Sequence, residues 1–250
     1  MVKDELTHGS LFSGIGGFDL AAKRENIKTL WNCEINEFNK KILLKNFPET
    51  KQYQDITELS NPKHVDILSG GFPCQDISVA NVKGVGINGS KSGLWSEYAR
   101  IIGDIKPRYV IIENSPTLLV RGFGRVLCDL SKIGYDAEWQ CLQAQNFGFN
   151  HKRERLFIIA YPERYRRLFR VFDFNPSEFR KIYNSSSKKI NLHSEIKKYE
   201  RDGDSENIRA DNGLPNRVDR IAGCGNAVIP VIAQYLFSSI KKFHSKLGEL

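Results

Sequence analysis

Between residues 8 and 161 short β-branched or aromatic runs alternate with amphipathic stretches, and that rhythm leaves few architectures open. Strand, crossover helix, strand is the pattern of a mostly parallel sheet, because a parallel neighbour is reached only through a connection long enough to hold a helix. The runs place strands near 9–13, 28–34, 51–55, 65–70, 108–113, 137–143 and 155–161. Helices fill the gaps: one opens after Gly16-Gly17, one covers about 36–47, and others follow Gly93 and Thr117. The expected fold class is α/β, a doubly wound, mostly parallel sheet.

Two segments break the rhythm. Residues 76–93 carry Gly84, Gly86, Gly89 and Gly93 with Asn81, Asn88, Ser90 and Ser92, too polar and too permissive for a core element. A loop of this kind directly after a reactive residue is expected to act as an active-site lid, the alternative being plain slack between two elements. Residues 163–212 are basic, polar and only patchily apolar, with eleven Lys and Arg against four Asp and Glu from Arg164 to Arg201. The whole chain carries a formal +8, so most of the excess sits in this stretch, which reads as a small module suited to a polyanion. Regular patterning resumes at Ile221, and Val228 to Phe243 has helical spacing with Pro230 in the first turn, where its missing N–H costs nothing. The chain thus divides into 1–162, 163–212 and 213–250, the last packing back on the first.

Composition closes off other classes. A chain of 250 residues, 40% hydrophobic and 11% aromatic, supports a packed core rather than disorder. No run approaches the roughly 20 apolar residues that span a bilayer, and the first ten residues lack a secretory apolar core; a cytoplasmic protein with no membrane partner is expected. The five cysteines, Cys33, Cys74, Cys128, Cys141 and Cys224, are scattered and never form a C-x-x-C pair. That argues against a disulfide framework and against a metal site.

The chemistry is expected along one sheet edge. The first strand runs into Phe12-Ser13-Gly14-Ile15-Gly16-Gly17, a turn that lets a ligand approach backbone and helix N-terminus, or simply a tight turn that needs glycine. Glu34 and Asp55 end the next two strands; an acid about 20 positions beyond such a turn suits a ribose hydroxyl, the alternative being a solvated strand-end carboxylate. Together the three features favour an adenosine-type cofactor. The fourth strand delivers Gly70-Gly71-Phe72-Pro73-Cys74-Gln75, a thiol at the edge where α/β folds keep reactive groups, although a cysteine is more often apolar filler. The fifth ends in Glu113-Asn114, and a partly buried glutamate can keep its proton and serve as a general acid. Arg153 and Arg155 share a face if extended, so both guanidinium groups can converge on one anion or carbonyl, or merely charge the start of a strand.

Taken in order, these motifs resemble the DNA cytosine-5 methyltransferase family over residues 10–161 and 213–242, including Gly225-Asn226-Ala227-Val228. The segment Gly213 to Arg220 is similar to compact bacterial and bacteriophage members. The resemblance implies an S-adenosylmethionine-dependent, Rossmann-like enzyme with a small target-recognition module. Phe12, Ser13, Gly14, Gly16, Gly17, Glu34, Asp55, Pro73, Asn226 and Val228 would hold S-adenosyl-L-methionine, with Glu34 on the ribose hydroxyls and Asp55 on the adenine amino group. Cys74, Glu113, Arg153 and Arg155 would be catalytic. The implied partner is double-stranded DNA, acted on by a monomer; a cognate restriction endonuclease would act separately, or the enzyme would be an orphan. His151 stands where many members have glutamine, Ser115 replaces a usual valine, and fifty residues is short for target recognition.

The implied mechanism follows from the weakness of carbon 5 of cytosine as a nucleophile. Addition of the Cys74 thiolate to carbon 6, with Glu113 protonating ring nitrogen 3, makes carbon 5 an enamine carbon. After methyl transfer the carbon 5 proton leaves and elimination frees the thiol. The target base must leave the duplex to reach that thiol. Three other readings remain at this stage: a tRNA cytosine-5 methyltransferase, a degenerate non-catalytic DNA-binding protein, and a nicotinamide-dependent dehydrogenase, which leaves Pro73-Cys74-Gln75 unexplained.

Overall fold

The computed structural model of the chain describes residues 5–73, 93–165, 172 and 227–248. Its strands are β1 (Thr7–Leu11), β2 (Lys28–Cys33), β3 (Lys51–Tyr53), β4 (Ile67–Gly70), β5 (Tyr109–Asn114), β6 (Tyr135–Gln143) and β7 (Glu154–Pro162). The helices are α1 (Gly17–Arg24), α2 (Glu37–Asn46), α3 (Gly93–Ile105), α4 (Phe123–Lys132) and α5 (Pro230–Gly248). All seven strands join one sheet in the order β3-β2-β1-β4-β5-β7-β6. β1 to β5 are mutually parallel, and β7 runs antiparallel to both β5 and β6.

Both faces of the sheet are covered, as the near-continuous apolar runs require. Tyr109 and Ile111 of β5, with Phe157, Ile159 and Tyr161 of β7, pack on one side against Phe18, Ala21 and Ala22 of α1 and the apolar stripe of α5. Val110, Ile112, Leu156, Ile158 and Ala160 pack on the other against Trp95, Tyr98, Ile101 and Ile102 of α3 and Val126 and Leu130 of α4. The period of two within each strand sends alternate side chains into the two cores. At the centre His8 is fully buried and bridges Thr29 Oγ1 at 2.9 Å and Ser69 Oγ at 2.8 Å. Burial lowers its pKa to about 3, so it holds β1, β2 and β4 together as a neutral ring.

Because β1 is flanked by β2 and β4, successive crossovers leave it in opposite directions. That opens a crevice at the carboxyl ends of β1 and β4, the usual place for a ligand in an open α/β sheet. The expected elements are present, with some shifted bounds. The helix expected after Thr117 is split: Pro116–Leu119 is a 3-10 turn capped by the Ser115 side chain, which accepts from Thr117 N, and α4 begins only at Phe123. The break falls at Gly122, whose φ of 102° no helix interior accommodates. Helix α2 starts from Asn36, whose side chain accepts from Asn39 N at 3.0 Å. The 76–93 stretch up to residue 92 and most of 163–212 lie outside the described residues; of the basic module, Glu163–Tyr165 and Phe172 are described.

Candidate active site

The glycine turn is built to stay open. Phe12 and Gly14 take left-handed φ values of 50° and 56°, and a Cβ added to Gly14 would meet nothing within 4 Å. Ser13 is turned inward: its N–H donates to Cys33 O at 3.1 Å, and its hydroxyl lies within hydrogen-bond distance of Ser10 O and Cys33 O. It ties the turn to β2 rather than facing the cleft. Glu34 accepts from Gly14 N at 2.6 Å and from Asn36 N at 2.8 Å, so its carboxylate is fixed by backbone on both sides. Asp55 heads a turn in which its Oδ1 accepts from Thr57 N and Thr57 Oγ1, both at 2.8 Å.

These groups wall a cleft of about 350 Å³ with Cys33, Ile35, Asn36, Asn39, Gln54, Ile56, Gly71, Pro73 and Leu94. Two carboxylates, an aromatic ring, and Ile35, left 64% exposed, form a pocket with a polar end and an apolar wall. An adenosine-sized ligand suits that mixture. Cys33 also lines it, but burial, then Glu34 and Asp55, push its thiol up to about 12, which removes it as a nucleophile at neutral pH. Gly16 and Gly17 are tightly packed on the side a side chain would occupy: an added Cβ would strike the Phe47 ring at 2.7 Å and Val228 O at 2.5 Å respectively. Val228 therefore backs the start of α1.

The second half of the site sits where the end of β5 meets the start of the antiparallel β7. Glu113 is 8% exposed, and Arg155 Nε lies 3.0 Å from its Oε1. Burial raises the Glu113 pKa above the ordinary carboxyl value, against the opposing charges of Arg155 and Arg153 and the Arg155 hydrogen bond. Arg155 also donates to Glu154 O at 2.8 Å. Arg153, whose charge also acts on Glu113, donates to Ala227 O at 2.9 Å, which clamps the chain just after Asn226. Asn114 donates to Phe72 O at 3.0 Å, fixing the path into Pro73. Cys74 and Asn226 lie outside the described residues.

Gly71 makes this packing possible. A Cβ there would stand 2.5 Å from Glu113 Oε2, and the Glu113 carboxylate is held from the other side by Arg155. Gly71→Ala is expected to cost about 1–3 kcal/mol of stability through overpacking. Thermal denaturation measures it; an unchanged melting temperature would show that the carboxylate has room to move.

Sequence reasoning passed over Ile35, Asn36, Asn39, Gln54, Ile56, Gly71 and Leu94 as cleft residues, and Asn114 as the anchor of the Pro73 segment. An apolar residue directly after a strand-end carboxylate was the one available signal for Ile35.

A model of the C-5 cytosine-specific DNA methylase family matches residues 6–220. The chain belongs to this family. Type II methyltransferase M2.BsuMI of Bacillus subtilis is 36% identical over 159 residues, covering 60% of this chain and 41% of that protein. Type II methyltransferase M1.ScrFI of Lactococcus lactis is 35% identical, covering 60% and 40%. The chain thus spans less than half the length of these two relatives. Among solved structures, a DNMT2 variant from Spodoptera frugiperda aligns with a TM-score of 0.66 at 14% identity, over 94% of this chain and 99% of that one. That likeness shows the Rossmann-like methyltransferase fold. For a C-5 cytosine methylase the architecture places a cofactor-sized cleft and an acid–arginine pair on the same sheet edge. No helix among the described residues is long and apolar enough to cross a membrane, and no group of three metal-ligating side chains occurs among them.

Proposed function

We propose that the chain is a DNA cytosine-5 methyltransferase that uses S-adenosyl-L-methionine and attacks a flipped-out cytosine of double-stranded DNA through Cys74. The observation that carries this reading is the pairing of two arrangements on one edge: the Glu34 and Asp55 cleft, and the buried Glu113 held by Arg155 at 3.0 Å. The cofactor, when bound, would supply an electrophilic methyl group. Glu34, with both oxygens oriented by backbone N–H groups, would receive the ribose hydroxyls; Asp55 would receive the adenine amino group, and Phe12 and Ile35 would cover the base.

Glu113 is suited to hold a proton because burial favours its neutral form. It would donate that proton to ring nitrogen 3 as the Cys74 sulfur bonds to carbon 6, so carbon 5 gains enamine character. Arg155 would orient Glu113, and Arg153 would hold the segment after Asn226. Once carbon 5 carries the methyl group, its proton would leave, the carbon 6–sulfur bond would break to release the Cys74 thiolate, and ring nitrogen 3 would return its proton to Glu113, which restores the neutral aromatic ring. The basic residues of 163–212 would neutralise phosphates, the enzyme working as a monomer in the cytoplasm with or without a cognate restriction endonuclease.

Labelled cofactor is expected to methylate duplex DNA and leave tRNA unlabelled. Label on tRNA alone would overturn the DNA assignment in favour of an RNA substrate, and bisulfite sequencing of DNA from expressing cells would reveal the recognised bases. The match to the C-5 cytosine-specific DNA methylase family and the basic stretch from Arg164 to Arg201 favour DNA.

A further inference from the structure

Arg100 lies in the middle of α3 and uses every nitrogen of its guanidinium group. Nε donates to Glu97 Oε2 at 2.7 Å and Nη1 to Asp104 Oδ2 at 3.1 Å, one helical turn to either side. Nη2 donates to two backbone carbonyls of another element, Ile56 O and Leu59 O, each at 3.0 Å. Exposed ion pairs along a helix contribute little stability. What Glu97 and Asp104 contribute is direction: they fix the plane of the fork so that its free corner reaches the two carbonyls.

Those carbonyls belong to the turn that Asp55 heads. Glu58 N donates to Asp55 O and Leu59 N to Ile56 O, both at 3.3 Å, long bonds for a turn that must hold a carboxylate in place. Ile56 from this turn and Leu94 from the first turn of α3 wall the same cleft as Asp55. We infer that Arg100 is a positioning residue for cofactor recognition: by tethering the Asp55 turn to α3, it sets the carboxylate that reads the adenine amino group. The inference rests on the proposed placement of S-adenosyl-L-methionine in this cleft. It assigns to an arginine outside every family motif quoted above the discrimination of adenine from other purines.

The test compares two ligands, S-adenosylhomocysteine and its inosine counterpart, which has a carbonyl where adenine has its amino group. Isothermal titration of the folded wild-type chain is expected to favour the adenine ligand by about tenfold or more, the value of one specific hydrogen bond to a charged acceptor. In Arg100→Met, which keeps much of the side-chain length, the preference is expected to shrink to about twofold, chiefly through weaker binding of the adenine ligand. The same variant is expected to raise KM for S-adenosyl-L-methionine while kcat and KM for DNA stay within about twofold.

A mere fold-stabilising arginine would leave the ligand preference intact, and an undiminished preference in Arg100→Met overturns the inference. Should that variant fail to fold, Arg100→Lys carries the same comparison: its single ammonium cannot hold both helix carboxylates and both carbonyls, so the preference must again fall, and full preference rejects the role. If the wild type binds neither ligand, or binds both equally, the placement of the cofactor fails first, and the role of Arg100 falls with it.

Discussion

Cys74→Ala is expected to lower methyl transfer by a factor on the order of 10⁴ or more, with cofactor affinity kept within about twofold. Without a sulfur at carbon 6, carbon 5 of cytosine keeps its aromatic character and has little electron density to offer. The cofactor cleft is shaped by the glycine turn, Glu34 and the Asp55 turn, none of which needs the thiol. Cys33 cannot take over: it is 3% exposed, and its pKa of about 12 keeps it protonated at neutral pH. Two measurements check the expectation. Transfer of labelled methyl should vanish, and DNA carrying 5-fluorocytosine should become covalently trapped on the wild type but not on the variant. Turnover surviving in Cys74→Ala would remove the thiol from the mechanism altogether.

Glu113→Gln is expected to slow transfer by about 10²- to 10⁴-fold, the usual worth of a positioned general acid. The pH dependence separates a proton donor from a purely electrostatic group. Burial raises the Glu113 pKa, so the wild type should lose activity as pH climbs through that raised value, and the glutamine variant should lack this limb. Stability follows the same sign. The folded-state pKa lies above the unfolded one, so the group's contribution is complete below the unfolded pKa, near 4.5, and disappears as pH rises through the folded pKa. The melting temperature of Glu113→Gln relative to wild type should therefore improve with pH across that window. A difference that is flat with pH would mean that Arg155, 3.0 Å away, keeps the carboxylate ionised throughout.

Much of this arrangement was legible in the chain. The continuous apolar runs in Tyr109–Asn114 and Glu154–Pro162 announce strands buried on both faces, and the Phe12 to Gly17 turn announces a ligand edge. Strand direction was not legible, because periodicity is the same whichever way a strand runs; the antiparallel β7 comes from tertiary pairing. The convergence expected of Arg153 and Arg155 assumed that both belong to one extended segment. β7 begins at Glu154, so strand alternation alone does not place Arg153; its guanidinium donates to Ala227 O, while its charge, like that of Arg155, still acts on the Glu113 carboxyl. Arg100 gave no signal because the atoms that give it a purpose are backbone carbonyls of Ile56 and Leu59, which look alike in every residue type. The inward Ser13 hides behind the glycines for the same reason: its partners are carbonyls.

Helix α5 carries a consequence for how the protein comes into being. One side of the sheet, including Ile67, Tyr109, Ile111, Phe157 and Ile159, is roofed by Phe18, Ala21 and Ala22 of α1 and by residues from Ile229 onward. During synthesis, every residue up to 226 has been joined before this roof exists, so the growing polypeptide carries a broad oily surface for the seconds that elongation takes. A reading-frame break anywhere in the basic stretch is therefore expected to release not a weaker enzyme but a half-covered sheet prone to precipitate.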